Sequence, residues 1–219
     1  MARSFNGTSD KITIADNNFD GLATWTISLR FKTSYKAAYQ KMLWKNDAID
    51  IGLTQDFGGG AKLFGTIFGV GDLGEIEEFD VATDVWHNVI FTWDGTNIKG
   101  YRDGVLKKTV AATTTQNNNA NALILGVNNT TEWFNGSLCE LVIWNRALSA
   151  GEIDSIGAKG FSALFYPKGL LLYMPIIGRN SPETDIVGGN NGTLTGTSNA
   201  AHPRIIYPTF FQDRRFTTA

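Results

Sequence analysis

The chain has a single cysteine, Cys139, and only two histidines, His87 and His202. A lone thiol excludes an intrachain disulfide and any CxxC metal knuckle. Neither histidine lies beside a GxSxG-type elbow, so a serine-histidine nucleophilic centre lacks its parts. His87 is expected to be a packed or surface strand residue, and His202 to serve the turn before Pro203. An excess of either charge is also missing, with 19 lysines and arginines against 21 acidic residues and a formal net charge of -2. Without a basic field, nucleic acid drops out as a partner and an anionic membrane surface has nothing to hold it. No apolar run is long enough to span a bilayer, and "MARSFNGTSDKITI" passes from Met1 into a first strand without an apolar signal region. Synthesis in a reducing cytoplasm without a signal peptide is therefore the expectation.

What the chain does have is β-forming sequence and turns. Its 219 residues are 42% hydrophobic and include 24 glycines, enough for one large core and many reversals. In "WHNVIFTWDGTNIKGYRDGVLKKTV", Asp103-Gly104 is the dipeptide that best tolerates the positive φ angles of a two-residue hairpin, and Asp94-Gly95 opens a slightly longer turn. Val89, Phe91 and Trp93 alternate with Asn88 and Thr92, so the stretch is an antiparallel meander. In "TWTISLRFKTS", Trp25, Ile27, Leu29 and Phe31 point one way while Thr26, Ser28, Arg30 and Lys32 point the other, which predicts a sheet with one wet face. Further strands are expected at "KITI", "YQKMLWK", "AIDIGLT", "KLFGTIFGV", "ALILGV" and "SLCELVIW". Many short strands with no helices between them predict an all-β, two-sheet antiparallel sandwich.

One helix start interrupts this pattern. In "RALSAGEIDSI", Ser149 and Glu152 have the spacing of a capping box, which predicts a short helix over 149–157. The character then changes, and all five prolines lie after it. The chain divides into a sandwich over 1–157, a linker and completing strand over 158–202, and an extended C-terminal arm over 203–219. Leu170, Leu171, Leu172, Tyr173 and Met174 need burial, and the short path back through "GAKGFSALFYPKG" favours their return beside "SLCELVIW" in the same chain. The arm, rich in Phe, Tyr and Arg without alternation, is expected to gain order on adjacent subunits.

The segments "SFNGTSDKITI", "WTISLRFKT", "WHNVIFTWDGTNIKGYRDG", "LILG" and "FNGSLCELVIWNRALSAGEI" together resemble the laminin-G/pentraxin-like group of concanavalin A-type jelly rolls, over about Met1 to Gly157. The resemblance implies two curved sheets packed face to face, binding of glycans or proteins, and in many members a structural calcium. Relatives carry an aspartate where this chain has Cys139, a soft ligand ill suited to calcium. Asn6, Asp10 and Glu140 remain as oxygen donors if calcium is retained; no other cofactor is implied. "LLLYMPIIGRNSPETDIVGGNNGTLTG" is similar to a stretch that normally precedes the "FNGTSD" strand, so the jelly roll looks circularly permuted. The trailing "DIVGGNNGT" and "HPRIIYP" resemble chains of tailed bacteriophages and uncultured viruses. That resemblance implies a virion surface protein, a capsid decoration or head-fibre module, homo-oligomeric and held by neighbouring virion subunits or capsid protein. A bacterial carbohydrate-binding module is the alternative.

Candidate chemistry is sparse. In "EIEEFD", Glu75, Glu77 and Asp80 are spaced somewhat like the ExDxxE strand of β-glucanases sharing this fold. The roles are permuted and the strand lies too close to "WHNVIFTW", so a charged edge strand that deters pairing is the favoured reading, and no enzyme is expected. "DFGGGAKLFG" lacks the helix and Lys-Ser/Thr of a phosphate loop, which leaves Gly58, Gly59 and Gly60 as a hairpin tip. For glycan stacking, the aromatic residues near turns are Tyr35, Tyr39, Trp44 and Trp133, with Asn46, Asp47, Asn128 and Asn129 to bond hydroxyls. Tryptophans in sandwiches are commonly core, and that reading competes for Trp44 and Trp133 alike.

Overall fold

A computed structural model describes residues 1–209 apart from 18, 59, 70, 80–83, 113–114 and 129–130; for 71, 72, 75 and 77–79 it describes the backbone alone. Among these residues the first strands are β1 (Ala2–Asn6), β2 (Lys11–Ile14), β3 (Trp25–Lys32), β4 (Gln40–Lys45), β5 (Ile49–Leu53), β6 (Ala61–Ile67) and β7 (Gly71–Phe79). They are followed by β8 (His87–Trp93), β9 (Asn97–Arg102), β10 (Val105–Ala111), β11 (Leu123–Leu125) and β12 (Asn135–Trp144). Helix α1 (Ala150–Gly157) and a 3-10 turn at Ala163–Phe165 precede β13 (Leu170–Met174), β14 (Gly192–Thr195) and β15 (Ser198–Ala200). No helix among the described residues is long and apolar enough to cross a membrane.

The strands form two antiparallel sheets. One runs β10-β9-β8-β3-β12-β1-β15, with β13 also on β12; the other runs β14-β2-β11-β4-β5-β6-β7. The two-sheet antiparallel sandwich expected from the alternation is the observed architecture. Asp103 and Gly104 take φ of 51° and 80°, the paired positive values a tight hairpin needs, and β9 pairs with β10 across them. Between the sheets lies a single apolar core. Trp25, Ile27, Leu29, Phe31, Phe91 and Trp93 meet Ile12, Ile14, Leu43, Ile49, Ile51, Leu53, Leu63 and Ile67 from the opposite sheet. Gly65 on β6 admits the Phe91 ring, since a Cβ there would come within 2.3 Å of it. The strand "EIEEF" belongs to β7, at the edge of its sheet.

Along one edge of β12, two strands follow one another. Residues 135–138 pair with β1, and residues 141–144 pair with β13. The changeover falls at Glu140, whose φ of 56° breaks the pleat and whose amide donates to the Pro175 carbonyl. The last strands border the first, β15 beside β1 and β14 beside β2. Buried Arg3 of β1 bonds Glu183 at 2.6 Å and the Asn180 carbonyl, which ties the N-terminal strand to the loop before β14. The "DIVGGNN" loop is organised by buried Asp185, whose carboxylate accepts from the amides of Tyr173, Val187, Gly188 and Asn190. That geometry accounts for the Asp-x-x-Gly spacing, because a side chain at Gly188 would strike Asp185 and the Leu171 carbonyl.

One expectation is overturned. The face of β3 carrying Thr26, Ser28 and Arg30 is not wet; all three are buried. Helix α1 and the chain after it lie over this face, and Ile90, Tyr101, Val142, Trp144, Leu148, Ile153, Ile156, Ala163 and Tyr173 form a second apolar cluster there. Burial of the polar residues is tolerable because each has partners. Thr26 donates to the Arg146 carbonyl and accepts from the Leu148 amide, and Ser28 accepts from Asn88. Arg30 donates to the Ile156 carbonyl in the last turn of α1, where a cation complements the helix dipole. At the other end of α1 the predicted capping box is present, with Ser149 as N-cap. Bidentate Arg146 at 2.9 and 2.7 Å is the main reason that the Glu152 pKa falls to about 2.

The C-terminal arm also departs from expectation where it is described. Ile206 forms a parallel bridge with Phe161, and Tyr207 donates to Glu140, so 203–209 dock on their own chain instead of leaving it. Tyr207 is half-buried against the second apolar cluster, a packing that the local sequence did not advertise. Residues 210–219 lie outside the described residues.

Candidate functional site

The other outer face, that of the seven-stranded sheet, has no layer over β4, β5 and β6 among the described residues. Alternation, with a bulge in β4 between Lys41 and Leu43, puts Leu43, Ile51, Leu63 and Ile67 into the core and leaves Lys41, Trp44, Asp50, Thr54, Phe64 and Thr66 on the outer side. A shallow groove of about 250 Å³ runs across it, lined by Tyr39, Lys41, Thr54, Phe64, Thr66, Gly74 and Glu132. Gly52 forms part of its floor by default. A Cβ there would stand 2.9 Å from the Phe64 ring and 2.2 Å from the Gln40 carbonyl, so the ring can lie low across β5 only over a glycine.

Lys41 organises the polar side. Its ammonium bonds Asp50 at 2.8 Å and Glu132 at 3.0 Å and sits 4.4 Å from the centre of the Phe64 ring. The carboxylates compensate a cation that is nearly out of water, and the ring adds a cation-π contact. Glu132 arrives from the loop before β12. Asn128 shapes that loop, accepting from the Thr131 and Glu132 amides and donating to the Glu132 carboxylate. Gln40 pins it from beneath, accepting from the Asn135 amide and donating to the Tyr35 carbonyl. Tyr39, 41% exposed, stands at the rim. An aromatic plate flanked by an ammonium and the Glu132 carboxylate can take the C–H face of a pyranose or furanose and bond its hydroxyls.

The expected glycan residues are split by this geometry. Tyr39 lines the groove, Asn128 supports it through Glu132, and Asn129 lies outside the described residues. Trp44 is half-buried on the same outer face, opposite Asp50, three residues along β4 from Lys41. Trp133 is half-buried and does not line the groove, and Tyr35 is exposed beside the loop that Gln40 holds. Asn46 and Asp47 lie at the far end of β4 and do structural work. Their carbonyls accept from Asn119 and Asn117, and fully buried Lys45 beside them bonds Asp16, Asp20 and the carbonyls of Asn119 and Asn121. That cage replaces solvent around the Lys45 ammonium and fixes the loop before β11; Asn46 and Asp47 do not line the groove.

Sequence reading missed Phe64, Lys41, Asp50 and Glu132. One signal was present: in "KLFGTIFGV", Phe64 and Thr66 share the parity opposite to Leu63, Gly65 and Ile67, so an aromatic falls on the polar face. Nothing local announced Glu132.

The proposed calcium oxygens do not converge. Asn6 pairs with Asn135, five residues along β12 from Glu140, or roughly 16 Å at about 3.3 Å per residue. Asn6 and Asp10 are engaged in their own turn, Asn6 accepting from Thr8 and Ser9 amides and Asp10 from the Asn6 amide. Glu140 accepts from Tyr173 at 2.7 Å and Tyr207 at 3.2 Å and faces His202 at 3.3 Å. Cys139 points into the core, where burial pushes its thiol well up. No cluster of three or more His, Cys, Asp or Glu suited to a metal occurs among the described residues.

The remaining candidates are structural or undescribed. Glu75 and Glu77 lie on edge strand β7, where only the backbone is described, and Asp80 lies outside the described residues, as does Gly59. His87 contacts Asp103 at 2.8 Å and packs on Phe31, closing the β9–β10 hairpin onto β8. A larger groove of about 610 Å³ runs between Leu164, Phe165 and Pro167 on one side and Ile206 to Thr209 on the other. It is mostly apolar, and the Tyr207 hydroxyl in it is given to Glu140.

A family model described as the concanavalin A-like lectin/glucanases superfamily matches residues 6–154. No curated protein matches the chain. Among solved structures, a candidate carbohydrate-binding protein from Bacteroides ovatus is similar at a TM-score of 0.70 and 15% identity, over 94% of this chain. The chain spans 62% of that protein's length. Domain 4 of an extracellular GH43 arabinanase from Geobacillus stearothermophilus, solved with arabinotriose, gives 0.56 and 20% identity over 71% of this chain and 76% of its own. The CBM40 of a Ruminococcus gnavus IT-sialidase, solved with α2,3-sialyllactose, gives 0.53 and 15% over 72% and 97%. At these identities the likeness is one of fold.

Proposed function

Since the chain belongs to the concanavalin A-like lectin/glucanases superfamily, we propose that it is a non-catalytic carbohydrate-binding module whose ligand lies on the uncovered face of the seven-stranded sheet. The observation that carries this reading is the half-exposed Phe64 ring on that face, held by Lys41 over Gly52 and flanked by exposed Tyr39. Solvent-facing aromatics beside hydrogen-bonding groups are what sugar stacking requires, and an uncovered sheet face gives a chain of sugars room to lie. Similar folds described above as carbohydrate-binding lend support. Against catalysis, Asp50 and Glu132 both face the Lys41 ammonium instead of standing as a separated acid and nucleophile across the groove.

A glycan array followed by calorimetry on the purified chain tests the reading. Phe64→Ala should weaken any captured glycan by tenfold or more, on the order of 1.4 kcal/mol. An array without a single ligand, or a variant that binds like the parent, removes the proposal. Hydrolysis of a β-glucan that Glu75→Gln abolishes would replace it with an enzyme.

Display of the module on a virion, as a homo-oligomer beside capsid subunits, is supported by the resemblance of the trailing segment to viral chains. Detection in purified particles would strengthen that setting, and absence from them would remove it. The bacterial carbohydrate-binding module is the better supported of the two, because the similar structures are of that kind.

A further inference from the structure

We infer that the groove beside Phe64 selects neutral oligosaccharides and rejects anionic ones, because the cation that lines it is already matched by two carboxylates. The inference rests on the glycan-binding reading of the same face. Recognition of a sialic or uronic acid needs a cation whose donors are available to the sugar carboxylate, most effectively a forked guanidinium. Of the described residues lining the groove, Lys41 is the one cation, and no arginine lines it. The Lys41 side chain is 9% exposed, and its ammonium is shared by Asp50 at 2.8 Å and Glu132 at 3.0 Å. Lys41, Asp50 and Glu132 together form a cluster of one positive and two negative groups, a formal charge of -1 around the one cation of the lining.

An incoming carboxylate would therefore meet Glu132 at the groove and an ammonium already engaged by two like charges, and like-charge juxtaposition in a partly desolvated site opposes binding strongly. Displacing Asp50 or Glu132 to free the ammonium does not help, since it strands a carboxylate beside the new one. Hydroxyls suffer no such penalty. Glu132, 31% exposed at the side chain, can accept from sugar hydroxyls at the rim of the groove. Phe64 and Tyr39 supply the plates on which the C–H face of a neutral ring stacks. Lys62, the next cation along β6, does not line the groove. Glu132 is held in place by Asn128, so the acidic side of the groove is built in and not an accident of a loose side chain.

The test compares ligands that differ in charge on one scaffold. Calorimetry on the full chain would use lactose against 3′-sialyllactose, and arabinotriose and xylotetraose against tetragalacturonate, at low and moderate salt. The expected result is binding of at least one neutral oligosaccharide and about tenfold or weaker binding of the anionic member of each pair, with the gap narrowing as salt screens the repulsion. Glu132→Gln should narrow the same gap severalfold at low salt while the melting temperature confirms folding. Equal or tighter binding of the anionic ligands by the parent chain overturns the selectivity and leaves glycan binding standing, whatever the variant does. Absence of any binding across the panel and the array removes both.

Discussion

The two outer faces of the sandwich invert what their residues suggest. Thr26, Ser28, Arg30 and Asn88 make the eight-stranded sheet's face polar, yet it is covered by α1 and the segment that follows. The seven-stranded sheet carries Trp44 and Phe64 among its outward residues, yet it stays open. The difference teaches that a polar parity marks the face away from the main core and nothing more. Whether that face meets water depends on how well its polar groups can be matched by a covering layer. On the covered face nearly every group finds a carbonyl, an amide or a hydroxyl from α1 or the loops around it; on the open face the charges pair laterally, Lys41 with Asp50 and Glu132.

The largest effect that could break this comparison lies on the covered face. Trp144 is fully buried there and donates its indole N–H to the Tyr166 carbonyl at 2.9 Å. Trp144→Ala should cost about 3–5 kcal/mol in urea unfolding, as a buried aromatic leaving both a cavity and an unpaired carbonyl. A cost under about 1 kcal/mol would mean that the covering layer is not part of the folded core.

The next concerns pH. Both ring nitrogens of His202 face acceptors, Nδ1 the Pro203 carbonyl at 2.8 Å and Nε2 the Glu140 carboxylate and Pro175 carbonyl. Burial opposes the charge, but Glu140 and the two carbonyls outweigh it and hold the pKa above 6.5. The hydroxyls of Tyr173 and Tyr207, which also face Glu140, are raised by burial and stay protonated donors. A raised histidine pKa stabilises fully below its unfolded value and loses that contribution as pH climbs through the folded one. The melting temperature should therefore fall as pH rises from about 6.5 through the raised value, and His202→Gln should flatten that slope. An unchanged slope in the variant would mean that the His202–Glu140 contact does not set the pH dependence.

A smaller effect tests the edge of the covering layer. Ser149→Ala removes the N-cap of α1 and should cost about 1 kcal/mol, read from the same unfolding curves. Smallest of all is the open face. Phe64→Ala should change stability by under about 1 kcal/mol, as expected for a half-exposed side chain, although it is predicted to weaken glycan binding. Should it destabilise as much as Trp144→Ala, the ring is packed and not presented, and the two faces would no longer differ in kind.

Much of the molecule was legible from local pattern. The alternation of Trp25, Ile27, Leu29 and Phe31 has only one way to reach a core, because the side-chain period of a strand is two. Asp103-Gly104 and the Ser149–Glu152 box are complete within a few residues, so their geometry follows from their own chemistry. The apolar strand β13 had to be buried, and a short connection made β12 its nearest edge. What only the tertiary structure decided are the meetings of residues far apart in the chain: Glu132 with Lys41, Glu140 with Tyr173, Tyr207 and His202, and Lys45 with Asp16, Asp20 and the carbonyls before β11. Each joins groups whose side chains are polar in isolation and would be read as surface. They are drawn together because an ion removed from water must find partners within a few ångströms, and which partners lie that close is settled by how the sheets pack and not by any periodicity along the strand.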